Sequence, residues 1–201
     1  MRRRTFDILI AAAGLLLAVT LIASGVLLTW AHTFIGNEVH TQLAAQQIYF
    51  PPANSKAVAA PEFAAMRQYG GQQLTTGAQA EVYADHFIAN HLKVIGGGKT
   101  YSQLSAEAIA QPKNAALAAQ VNTVFKGETL RGLLLNAYAF GTMGTIAGIA
   151  AIGAFIAAAV MLVLSGLGLL HARRVSPAAE ILSGHPANGR TPVPAAPGSQ
   201  V

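Results

Sequence analysis

Cysteine is missing from all 201 residues, which excludes disulfides, thiol chemistry and thiolate metal sites without fixing the compartment. Charge is scarce as well, at 10% of the residues, and the net +5 looks like a nucleic-acid signal until it is located. Residues 37–131 hold seven Lys or Arg against six Asp or Glu, so the excess lies at the two ends of the chain. The middle is nearly neutral and carries no basic patch interleaved with aromatics, so nucleic-acid binding is not expected. Strand patterning is missing too, because no alternation of apolar and polar residues survives along the middle segment.

What the chain has in quantity is apolar residues, 53% of the total, gathered into two uncharged runs at residues 8–36 and 132–170. A run of about 18 or more such residues reads as a membrane span, because only a helix satisfies its own backbone groups in hydrocarbon. Arg2, Arg3 and Arg4 precede the first run, and Arg173 and Arg174 close the second. Basic residues stay on the cytoplasmic side, which puts both termini there. From Ile8 to Trp30 the first run is about 23 residues, longer than the ~7–15 of a signal-peptide core. Thr29-Trp30-Ala31 is a poor cleavage site, and a retained anchor with Trp30 at the outer interface is expected, even though Arg3-Arg4-Thr5-Phe6 matches part of a twin-arginine signal.

The second run, as one straight helix, would rise about 58 Å, nearly twice the hydrocarbon thickness, so only residues 148–170 are expected in lipid. Two short spans are the rival, but they would leave His171-Ala172-Arg173-Arg174 outside, against the positive-inside bias. The expected layout is a cytoplasmic N-terminus at 1–7, a first transmembrane helix at 8–30 and an extracytoplasmic helical domain with stalk extensions at 31–147. A second transmembrane helix at 148–170 and a disordered cytoplasmic tail at 171–201, rich in Pro, Ala and Gly, complete it. The fold class is all-α: two long antiparallel helices span the membrane and extend outside it, with a small helical extracytoplasmic cap.

Within the middle segment the first helix stays helix-compatible to Phe50, where Pro51-Pro52 ends it. Residues 51–75 read as irregular with one helical turn near Glu62 and Arg67. From 80 to 95, at 100° per residue, Ala80, Tyr83, Ala84, Phe87, Ile88, His91, Val94 and Ile95 share a face, and Gly96-Gly97-Gly98 ends the helix. Thr100 with Gln103 has the form of a capping box for a short helix ending near Ala110. Asn114 caps the next, with Leu117, Val121 and Val124 on one face, and Gly127 is expected to separate it from the final long helix.

Ala137, Gly141, Gly144, Gly148 and Ala151 recur at spacings of four and three, a small-residue seam matched by Ala11, Gly14, Ala18 and Gly25 in the first helix. Such seams let helix backbones approach, so the two long helices are expected to pack along them; a homo-oligomer or a partner's membrane helix is the other use. The histidines are the only tempting metal candidates. His86 and His91 lie about 140° apart on a helix and cannot chelate one ion together, so no metal and no cofactor is expected, and His91 is expected as a packed core histidine. Glu81 and Asp85 read as a solvated helix face. Gly96-Gly97-Gly98-Lys99-Thr100 lacks the spacing and the preceding strand of a phosphate loop.

The segments GETLRGLLLNAYAF (127–140), YADHFIANHL (83–92) and GGGKTYSQLSAEA (96–108), with the terminal anchor, resemble a family of uncharacterised actinobacterial membrane proteins with two spans. The resemblance covers residues 7–172 and implies an architecture without a mechanism. Some similar sequences bear an aromatic ring-opening dioxygenase label, but no spacing here offers an iron site's two histidines and a carboxylate. The expected function is a non-enzymatic integral membrane protein of the cell envelope, in the cytoplasmic membrane, with an interaction or assembly role and the lipid bilayer as its surroundings. The alternatives are a membrane-bound enzyme or small-ligand carrier with a site under the cap, formed by Tyr83, His91 and aromatics such as Tyr49 or Tyr101, and an oligomeric transport component.

Overall fold

A computed structural model describes residues 3–174, and among them the chain is all-α. Two helices dominate, α1 over Arg3–Ala45 and α5 over Ala115–Arg174, and between them lie α2 (Gly77–Val82), α3 (Ala89–Ile95) and α4 (Tyr101–Ala110). Both α1 and α5 are long and apolar enough to cross a membrane, and only 11% of the most apolar 18-residue window of each is buried within the protein. Two compact units share the long helices: one takes the described residues up to Thr20 and from Ala157 onward, the other Leu21–Ile156.

In the first unit Gly14 meets the buried Ser165 and a Cβ at Gly168 would touch Ala11. In the second, Gly25 lies against the ring of Phe155, Gly148 against His32 and Gly144 against Ile35. Within each unit the numbering falls along one helix as it rises along the other. Small residues set these contacts, because a side chain at Gly144 or Gly148 would occupy the space of its neighbour.

The rest of the second unit is a helical cap on α1 and α5. Two short 3-10 segments, Lys56–Val58 and Pro61–Tyr69, lead into a helical stretch that begins at Gly77. Its start is a capping box in which Gln79 N–H donates to the Thr76 hydroxyl (3.3 Å) and Thr76 N–H to Gln79 Oε1 (3.1 Å). The same logic holds at Thr100 and Gln103, and Leu117 N–H donates to Asn114 Oδ1 at the head of α5. Phe50, Val58, Met66, Leu74, Ala80, Ala84, Ile88 and Leu92 form the cap's core with Leu43 of α1 and Leu134 of α5. A second, smaller cluster joins α4 to the start of α5 through Leu104, Leu117 and Val124.

Four sequence expectations are corrected. The first helix stops at Ala45 rather than Phe50: Gln47 adopts a left-handed φ of 53°, and residues 48–50 turn to pair with 71–74, where Leu74 N–H donates to Ile48 O (2.8 Å) and Phe50 N–H to Gln72 O (2.9 Å). That pairing buries Phe50 and Leu74, which a continued helix could not. Gly127 does not separate two helices, since α5 runs unbroken through it. Its missing side chain lets Leu92 sit directly against the α5 backbone, and that packing offsets the ~1 kcal/mol that an interior helical glycine costs. Helix α5 also takes in residues 171–174, so the tail expected to be disordered from 171 is helical as far as Arg174. The fourth correction, to the buried face of residues 80–95, is taken up with the candidate site. The rest of the tail expected to be disordered, residues 175–201, lies outside the described residues.

Candidate functional site: a groove between the two long helices

A recess in the second unit lies between residues 34–46 of α1 and 130–143 of α5, with a volume of about 510 Å³. Helical periodicity builds both walls: Leu130, Leu133, Ala137 and Phe140 recur every three or four residues on α5, and Phe34, Ile35 and Val39 face them from α1. Its floor is closed by the buried Leu43 and Leu134. One edge is polar, where Glu38, Gln42 and Gln46 follow one another turn by turn, and Gln42 Nε2 donates to Glu38 Oε1 at 2.7 Å. Four of the apolar side chains stay open, with Leu133 63%, Phe34 55%, Phe140 49% and Met143 49% exposed. Trp30 stacks on Phe34 at its α1 end, ring centroids 5.4 Å apart.

A second recess of about 320 Å³ is lined by hydroxyls instead: Thr75 and Thr76 ahead of α2 face Tyr138, Thr142 and Thr145 of α5, with His40 of α1. The two recesses flank the same stretch of the long helices. Between them run Ala137 and Gly141, where Gly77 of α2 comes within 3.3 Å of Gly141 Cα and 3.1 Å of Ala137 O, measured from the position a Cβ on Gly77 would take.

The expected seam is thus shared among partners. Gly144 and Gly148 face α1, where His32 Nδ1–H donates to Gly144 O at 2.8 Å, whereas Gly141 and Ala137 face the N-terminus of α2. Ala151 is buried farther along α5. The donor role of His32 fixes its tautomer with the proton on Nδ1 whenever the ring is neutral.

Of the expected ligand-site residues, Tyr83 and His91 lie on one aromatic ladder and Tyr101 does not. Tyr83, Phe87 and His91 stack in series at 4.8 and 4.3 Å, Phe63 covers the His91 end at 5.9 Å, and Phe50 meets the edge of Tyr83. Tyr101 instead contacts Phe125 beside the smaller cluster. Burial among these rings raises the Tyr83 hydroxyl above its ordinary pKa, because a phenolate there would be poorly solvated.

His91 itself is exposed, not buried as the α-helical wheel implies, with its Nδ1–H donating to Phe87 O at 2.7 Å. The reason is a π-helical stretch at Tyr83–Ile88 between α2 and α3. At 100° per residue Leu92 would stand about 120° from Ala80. The wider π turns bring residues four apart nearly into line, so Ala80, Ala84, Ile88 and Leu92 are the buried row, and Val94 is left 81% exposed. Asp85 in that stretch accepts from Arg131 Nη2 at 2.8 Å, which ties it to α5; this bond, more than Coulomb attraction to Asp85 and Glu128, raises the Arg131 pKa further against a smaller lowering by burial. His86 turns the other way and donates from Nδ1 to Glu62 O at 3.0 Å. Among the described residues no three His, Asp or Glu side chains group so that they could hold a metal ion.

Sequence reading missed the groove because it followed the small residues. The large ones at 130, 133, 140 and 143, on a neighbouring face of the same helix, were the available signal. The described residues therefore make an all-α fold with two helices long and apolar enough to cross a membrane and an apolar groove beside the cap. Comparison with protein-family models, with curated proteins and with solved structures yields no match to the chain.

Proposed function

We propose that the protein is an integral membrane protein of the cell envelope that crosses the cytoplasmic membrane twice, at residues 8–30 and 148–170, with both termini on the cytoplasmic side and the cap outside. The two long helices are then antiparallel spans, and the protein works by non-covalent interaction rather than catalysis. One observation carries the membrane assignment: the apolar windows of α1 and α5 bury only 11% of their residues, whereas a core helix of a soluble protein buries most of them. Arg4 at one end and Arg173 and Arg174 at the other support the orientation.

The interaction role draws on the shape of the cap. Its aromatic ladder packs against the buried core, and two open recesses lie along the long helices, one apolar and one rimmed with hydroxyls. Membrane fractionation tests the proposal. The chain is expected to stay in the membrane pellet after extraction at alkaline pH and high salt, and to be released only by detergent; recovery in the aqueous supernatant would reject it.

A further inference from the structure

Resting on this membrane assignment, we propose that the groove between α1 and α5 binds a single acyl chain of a membrane lipid whose headgroup carries no net negative charge. The groove begins at Phe34 and Met143, four residues beyond Trp30 and five before Gly148, so its near end opens within about 6–8 Å of the span ends. An acyl chain can pass from the bilayer into it without crossing open water. The α1 wall from Phe34 to Gln46 rises about 18 Å, and one leaflet of a ~30 Å hydrocarbon core is about 15 Å deep, the reach of one chain.

The exposed Leu133, Phe34, Phe140 and Met143 form a contiguous apolar patch beyond the span ends, where water contact is costly and a hydrocarbon chain relieves it. Charge narrows the lipid. Glu38 is the single charged side chain on the walls, so an anionic headgroup or a free fatty acid finds repulsion there and no ion pair, while the Glu38, Gln42 and Gln46 edge accepts hydrogen bonds from an ammonium or hydroxyl group.

The full chain in nanodiscs of phosphatidylethanolamine and phosphatidylcholine, doped with a phosphatidylcholine bearing a photoactivatable diazirine at mid-chain, tests this by mapping the labelled peptides. Labels are expected in residues 130–143 or 34–46 as well as in 148–170. Leu133→Glu and Phe140→Glu should each cut groove labelling at least fivefold and leave span labelling unchanged. If these variants unfold by circular dichroism, Leu133→Trp, which fills the groove with an apolar ring, takes their place, and undiminished groove labelling in it overturns the proposal. Label in the span but not in the groove overturns the proposal and leaves the membrane assignment standing. A chain that fails to enter the discs removes both. Crosslinks between groove peptides of two copies, or equal groove labelling by a diazirine fatty acid, would replace the lipid by a second copy or by a free acid.

Discussion

Gly77 and Tyr83 show how single positions set the cap. A side chain on Gly77 would press on backbone atoms of Ala137, Tyr138 and Gly141, none of which can rotate away. Gly77→Val is expected to destabilise the second unit by about 1–3 kcal/mol, the usual cost of overpacking, and thermal melting followed by circular dichroism measures it. Wild-type melting in that variant would mean that α2 does not rest on α5. For Tyr83 the sign of the pH effect follows from its raised pKa. The folded state holds the proton longer than the unfolded chain, so the contribution is complete below the ordinary tyrosine value of 10.0 and is lost as pH rises through the higher folded value. Tyr83→Phe should leave the melting temperature at pH 7 nearly unchanged and make its fall above pH 10 shallower. An identical alkaline decline in both proteins would place the Tyr83 hydroxyl in water.

At the scale of elements the π-helical stretch decides which face of residues 77–95 is buried. Leu92→Ala is expected to cost about 2–5 kcal/mol, because it empties a core position against Gly127, while the neighbouring His91→Gln should cost below about 1 kcal/mol. Denaturant unfolding of the pair distinguishes the two registers: an uninterrupted α-helix would reverse the order. Much at this scale was legible beforehand. The capping box at Thr100, the Asn114 cap and the glycine stop at 96–98, where Gly97 and Gly98 take positive φ, all depend on residues within one turn of each other. The end of α1 and the continuity of α5 were not legible, because each follows from a distant partner: the pairing of 48–50 with 71–74 in one case, Leu92 against Gly127 in the other.

For the whole molecule, the proposed topology makes a direct prediction. An alkaline-phosphatase fusion inserted near Asn90 should be active and one following Val201 inactive, with a cytoplasmic reporter giving the opposite pattern; activity at the C-terminal position would put the C-terminus outside and overturn the topology. Hydropathy alone determined that this protein has two helices long and apolar enough for a membrane and an all-α interior segment, because run length, charge scarcity and periodicity are properties of consecutive residues. Only the tertiary structure decided which residues meet. It set Gly144 and Gly148 against α1 but Gly141 against α2, separated Tyr101 from Tyr83 and His91, and opened a groove between the large residues that flank the seam. The physical reason is that a helix carries several faces at once, and its sequence is equally compatible with burying more than one of them. The choice is made by the shapes of the elements that come to lie against it.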